Sequence, residues 1–260
     1  MKHFLDFKKE INTIIQKLSS NEFSFGDEKN DFKNVISIMQ STISERDVVV
    51  SLLLNMDDEE IVASINYLYN NALNDSVFIN DLFKMSAFKF IAYEIVLYTL
   101  TNLLLLDKFD LIHTIISKKY FALNYSQVEE VSFYYAFGMR TEHACNIKKM
   151  GVNADDNYAV VRLVEKRLNK SYALLSDLKS CDLLINDCAV LAEDDYIPFF
   201  INLTIGVMLA MIIGKRIAND ESDVFPLFGL NNKSELRQKL NSLDKIVVYK
   251  KMRIVGRFRD

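Results

Sequence analysis

The 260-residue chain is long enough to bury most of the surface that its unfolded form exposes, and with half its residues apolar and a quarter charged it is neither disordered nor fibrous. Seven Gly and two Pro leave few positions for tight turns and strand corners, which argues against sandwiches, barrels and dinucleotide-binding sheets and predicts helices. A formal charge of −4 exerts no global pull on nucleic acid or anionic lipid, so binding of either has to come from a local patch.

In chain order, Phe4, Phe7, Ile11, Ile14, Ile15 and Leu18 fall three or four apart and predict a first helix with one buried face. After the polar stretch Asn21–Glu28, Phe32, Val35, Ile36 and Met39 resume that period behind a capping Asp31. The run DDEE at Asp57–Glu60 combines a capping box with negative charge at the positive end of a helix dipole. The apolar ladder Ile61, Ile65, Leu68, Tyr69, Leu73 begins directly after it, which favours a helix start over an acidic metal cluster. From Leu82 to Leu106 the only charges are Lys84, Lys89 and Glu94, the pattern of a central helix buried nearly all round. Phe109–Ser117 continues as a shorter helix. In YSQVEE, Ser126 with Glu129 reads as a second capping box, opening a helix that Gly138 closes.

Residues 139–156 lack clear periodicity and form a loop or boundary. The chain therefore reads as one helical domain, 1–260, in which lobes 1–138 and 157–260 join through that loop. Asp155 or Asp156 caps a long helix through Val160, Leu163, Val164 and Leu168, in two pieces that reach Leu191. Ile197–Ile213 is the most apolar run. It is short for a membrane span and carries Pro198, Asn202 and Thr204, so a buried core helix is the favoured reading and a span the alternative. Ser234–Leu243 predicts an amphipathic helix, and the tail KIVVYKKMRIVGRFRD alternates β-branched and basic residues like one or two short strands. The expected fold class is all-α, a multi-helix globular bundle with a central buried helix and a short β element at the C-terminus.

Candidate chemistry is sparse. Cys145, Cys181 and Cys188 form an odd set, and the start MKHFLDFKKEINTII lacks the apolar run and cleavage site of a signal peptide, which places the chain in a reducing cytoplasm. Zinc ligands come in closely spaced pairs. Cys181 and Cys188 are seven apart, two helical turns, so they read as buried apolar cysteines and no metal is expected. No phosphate-cradling glycine loop and no nucleophile elbow occur, so no cofactor is expected. The densest reactive cluster is GMRTEHACNIKK, with Arg140, Glu142, His143 and Cys145. A helical ribonuclease of the HEPN type needs an Arg, a polar residue and a His, the Arg and His separated by four to six residues, and only two residues separate Arg140 from His143 here; the ordinary reading is an Arg and a His that tie a loop to its neighbours.

Glu94, Tyr98 and Asn102 are four apart, so they share one face of the central helix and need partners once buried. They form either a polar seam lining a pocket, with Glu94 at a raised pKa, or, as the favoured reading, a structural network to a Lys or Arg of a neighbouring helix. In the tail, Lys250, Lys251, Arg253 and Arg257, with Lys245 and Arg259 and with Tyr249 and Phe258 interleaved, offer a site for phosphate, nucleic acid or an acidic partner. An edge strand protected by lysines explains the same pattern.

The stretches FKFIAYEIVLYTLTNLLLLDKFDLIHTIISKKYF, DLKSCDLLINDCAVL and FPLFGLNNKSELRQKL resemble a helical module of bacterial anti-phage defence proteins. In such proteins a module of this kind senses or assembles beside a separate effector domain, so the resemblance implies partnership rather than catalysis. The resulting expectation is a non-enzymatic cytoplasmic interaction or oligomerisation module with a protein partner or itself. The alternatives are a HEPN-like ribonuclease using Arg140 and His143, and a membrane-associated protein spanning the bilayer at 197–213, with its Lys215–Arg216 end in the cytoplasm.

Overall fold

In a computed structural model, which describes residues 2–20, 36–37, 39–73, 82–124, 127–137, 159–194, 208–244, 252 and 254–258, helix α1 (Lys2–Ser19) turns Phe7, Ile11, Ile14, Ile15 and Leu18 inward. These are the positions that its spacing marks as one face. Helix α2 (Ile43–Leu54) packs along α1. Helix α3 (Asp58–Tyr67) starts where the Asp57 carboxylate accepts a hydrogen bond from the Glu60 N–H at 2.8 Å, so the acidic run is a helix start. A π-helical turn, Leu68–Leu73, carries the chain on.

Helix α4 (Leu82–Leu105) is the centre of the fold. From Ala87 to Thr101 every residue except Lys89 is buried, and α4 packs against α1, α2, α5 (Phe109–Ile116) and α8 (Leu175–Leu191). By length and composition it is also the described helix apolar enough to cross a membrane, and 83% of that stretch lies inside the fold. The run expected at 197–213 is described from Met208 onward. There α9 (Met208–Ala218) buries Leu209, Ala210, Ile213, Gly214 and Ile217.

Scarcity of glycine leaves its mark on the helix ends. Helices α4, α8 and α9 stop with Asp107, Glu193 and Asp220 in the left-handed region, at φ of 55°, 58° and 58°. In each case the next N–H reaches back five residues: Lys108 to Leu103, Asp194 to Ala189, and Glu221 to Arg216. This is the Schellman termination that glycine normally serves.

Two expectations are corrected. Residues 127–132 are a strand and do not open a helix: β1 (Lys119–Asn124) and β2 (Gln127–Ser132) form an antiparallel hairpin with Tyr120 opposite Val131. The side chains alternate in burial, with Tyr120 and Val131 inside and Phe121 and Glu130 outside. Tyr120 completes an aromatic cluster, its ring 5.3 Å from Tyr69 and 5.5 Å from Phe137 of the short helix α6 (Phe133–Phe137). Packing of that face outweighs the local capping pattern. The second correction concerns the described part of the tail, where Val255–Phe258 is a 3-10 turn and not a strand, while 245–251 lie outside the described residues. The N–H groups of Ile254 and Val255 donate to the buried Asp187 carboxylate at 2.8 and 2.7 Å, which removes them from any ladder.

The predicted long helix after the loop occurs in two pieces, α7 (Ala159–Arg167) and α8. A 3-10 segment, Ser222–Phe228, leads to Gly229 at φ 67°, where a Cβ would lie 2.5 Å from His113 Cε1. Helix α10 (Lys233–Ser242) follows, capped by Asn232, whose side chain accepts from the Glu235 N–H at 3.0 Å. Residues 139–156, expected as a loop or boundary, lie outside the described residues, and residues from both sides of them enter one continuous apolar core.

Candidate functional site

The polar face of α4 is where the fold concentrates charge. Glu94, 3% exposed, stands between two guanidinium groups that are almost fully buried, Arg46 of α2 at 0% and Arg167 of α7 at 1%. Arg167 forks onto both carboxylate oxygens, with Nη2 donating to Oε2 at 2.7 Å and Nε shared between Oε1 and Oε2 at 3.1 and 3.0 Å, a planar recognition that suits Arg better than Lys. Arg46 Nη1 lies 2.9 Å from Glu94 Oε1 without the alignment of a hydrogen bond, so that contact is electrostatic.

The remaining donors are spoken for. Arg46 donates through Nη2 and Nε to Asp47 Oδ1 at 2.6 and 2.9 Å, and Nη2 also donates to the Arg167 carbonyl at 2.8 Å. Arg167 Nη1 donates to the Met39 carbonyl. Asn169 Nδ2 ties Asp47 Oδ2 at 2.8 Å, while its backbone N–H donates to Tyr98 Oη at 3.0 Å. Asn102 Nδ2 donates to the carbonyls of Tyr98 and Tyr172 at 2.8 and 3.0 Å. Burial works to lower the Arg46 pKa, but the charge of Glu94, followed by Tyr98 and Asp47, raises it above the ordinary value. Burial likewise raises Tyr98, against the pull of Arg46.

Two guanidiniums thus meet two carboxylates in a closed, balanced set. Buried ions of this kind are tolerable only when paired and hydrogen-bonded, and here they are. Glu94, Tyr98 and Asn102, which the sequence marks as one face in search of partners, come together as a network that clamps α2, α4 and the α7–α8 junction. The sequence did not identify Arg46 and Arg167 as those partners.

The other expected sites are distributed differently. Arg140 and His143 lie outside the described residues, as do Lys250, Lys251 and Arg253. Arg257 falls in the short 3-10 turn. Cys181 and Cys188 are both buried on α8. Burial pushes the Cys181 thiol up to about 12 and Cys188 well above its ordinary value, so neither supplies a thiolate near neutral pH. Among the described residues no three His, Cys, Asp or Glu side chains gather as a metal ion requires.

Sequence reading also missed Asp182 and Asp187, both fully buried on α8. Asp182 accepts a hydrogen bond from Tyr93 Oη, and Asp187 holds the tail. Their signal was present as two carboxylates in DLLINDCAVL, a stretch apolar apart from them and Asn186.

The outward side of α9 is different in kind. Met208, Met211 and Ile212 are 69%, 52% and 49% exposed, and they share one helix face by their i, i+3, i+4 spacing. The C-terminal end of α9 is fixed to the body by Arg216, which reaches Asp107 at 2.5 Å and Asp223 at 2.6 Å while lying 5.1 Å over the Phe109 ring. The face is therefore held on an anchored helix.

No protein-family model matches the sequence, and no significant match is found among curated proteins or solved structures.

Proposed function

We propose that the chain is a non-enzymatic cytoplasmic interaction module that associates with a second copy of itself through the outward face of α9. We place it in the setting its sequence patterning resembles, bacterial anti-phage defence. The reading rests on the three exposed apolar side chains of α9, Met208, Met211 and Ile212. Large apolar side chains grouped on one exposed helix face mark contact surfaces.

The segment MLAMII, 208–213, carries no charge, and the exposed Lys215 that follows on the same face lies at its edge, so a two-fold contact centred on Met208, Met211 and Ile212 is apolar at its middle. Methionine suits such a surface because its unbranched thioether adapts to its partner. At the centre of the densest charge cluster described, Glu94 and both guanidiniums are buried and paired with one another, which supports a structural role for that cluster rather than a catalytic one.

The test is co-expression of two differently tagged copies of the full chain. Capture of one tag is expected to bring down the other, and the double substitution Met208→Glu, Met211→Glu is expected to abolish this while leaving far-ultraviolet circular dichroism and melting temperature unchanged. Failure of wild-type copies to capture one another, or undiminished capture by the double variant, overturns the reading.

A further inference from the structure

The C-terminal ends of α5 and α8, the start of the hairpin and the 3-10 segment before Gly229 surround a half-open cavity of about 350 Å³. This lies within the range of small-molecule sites. Its floor is apolar, formed by the buried Ile116, Leu191, Leu227 and Phe228. One wall is set by a close approach that only glycine permits: the His113 imidazole lies against Gly229. His113 Nδ1 is buried in that wall with no hydrogen-bond partner, although buried polar atoms are normally paired.

The charges around the cavity are unevenly spent. Lys239 is matched by Glu193 at 2.8 Å. Asp194 stands near Tyr134, where burial first, and then the charges of Cys188 and Asp194, raise the phenol pKa. Lys119 makes no ion pair among the described residues. It faces Ser132 across the hairpin register and follows Ser117 by two residues, and all three line the cavity. One unspent ammonium beside two hydroxyls suits an oxyanion, while the floor suits an apolar body.

We propose that this cavity binds a small amphipathic anion, with its carboxylate or phosphate head at Lys119, Ser117 and Ser132 and a short apolar chain over Ile116, Leu227 and Phe228. The site does not use the outward face of α9, so it stands or falls separately from self-association.

Calorimetric titration of the full-length chain tests it, with octanoate, octyl phosphate, octan-1-ol, octylammonium and acetate as probes. The expected result is one-to-one binding of octanoate, octyl phosphate or both, with octan-1-ol weaker by about fivefold, the worth of one partly exposed ionic contact. The stronger of the two anions identifies the head group. Acetate, which lacks the chain, is expected to give no measurable binding. Lys119→Gln should erase the difference between acid and alcohol. Ala192→Phe, which fills the cavity from the exposed end of α8, should weaken every probe, and Lys215→Gln, away from the cavity, should change none. Absence of binding, equal binding of acid and alcohol by the wild type, tighter binding of octylammonium, or full affinity in the Ala192→Phe variant each overturns the proposal.

Discussion

Replacing Glu94 by Leu removes the one carboxylate shared by Arg46 and Arg167 while keeping the volume of the site nearly constant, so the loss is electrostatic rather than a cavity. Both guanidiniums remain buried; Arg46 keeps Asp47 and the Arg167 carbonyl, while Arg167 keeps just its bond to the Met39 carbonyl. Breaking a buried pair in this way costs about 3–5 kcal/mol. That is about a fifth or more of the roughly 5–15 kcal/mol that holds a typical domain together. At roughly 2–4 °C per kcal/mol for a chain of this size, the melting temperature falls by about 6–20 °C. Urea unfolding followed by far-ultraviolet circular dichroism reads the loss directly as a lower midpoint. Adding Arg46→Met and Arg167→Met to Glu94→Leu should restore part of the stability, because well-packed apolar residues replace stranded charges. Recovery stays incomplete, since the carbonyls of Met39 and Arg167 lose their donors, each worth about 1–3 kcal/mol. A Glu94→Leu variant within about 1 kcal/mol of wild type would falsify the account, because a loss that small is what solvent-exposed pairs give.

Three further outcomes follow from the geometry. Gly229→Ala places a Cβ in the left-handed region and against the His113 ring, and should cost about 1–3 kcal/mol; the added substitution His113→Ala should recover part of it, and no loss in the single variant refutes the close approach. Asp187→Asn weakens the acceptor of two backbone N–H groups and should cost about 1.5–3 kcal/mol, with faster hydrogen exchange at Ile254 and Val255 and unchanged exchange in α4; uniform change across the chain contradicts a local anchor. Cys181 ionises near 9 when unfolded and is pushed up to about 12 when folded. Between those values the unfolded state binds fewer protons, so its contribution is complete below pH 9 and is lost as pH rises toward 12. Stability measured at about pH 8 and about pH 11 should fall less steeply in Cys181→Ala than in the wild type, and an identical slope refutes the assignment.

The elements legible in the sequence are those whose pattern is local. The face of α1, the Asp57 cap, the all-round burial of α4 and the limits of α5 and α10 follow from residues within a few turns of one another. The hairpin was not legible, because Ser126 and Glu129 fit a capping box while the forces that make 127–132 a strand come from Tyr69 and Phe137, brought in by the fold. The need of Glu94 for a cation could be read from its apolar surroundings. Its partners could not, since Arg167 is 73 residues away, and the bond that couples the two arginines spans 121. Asp187 shows the same limit, for its role is defined by tail amides 67 and 68 residues further on.

The most direct test of the central claim is the mass of the purified full-length chain by light scattering at two concentrations, beside the Met208→Glu, Met211→Glu variant. Self-association through α9 predicts a wild-type mass that is a multiple of 30.1 kDa and a variant that runs as a single copy. A wild-type chain of single-copy mass at both concentrations contradicts it.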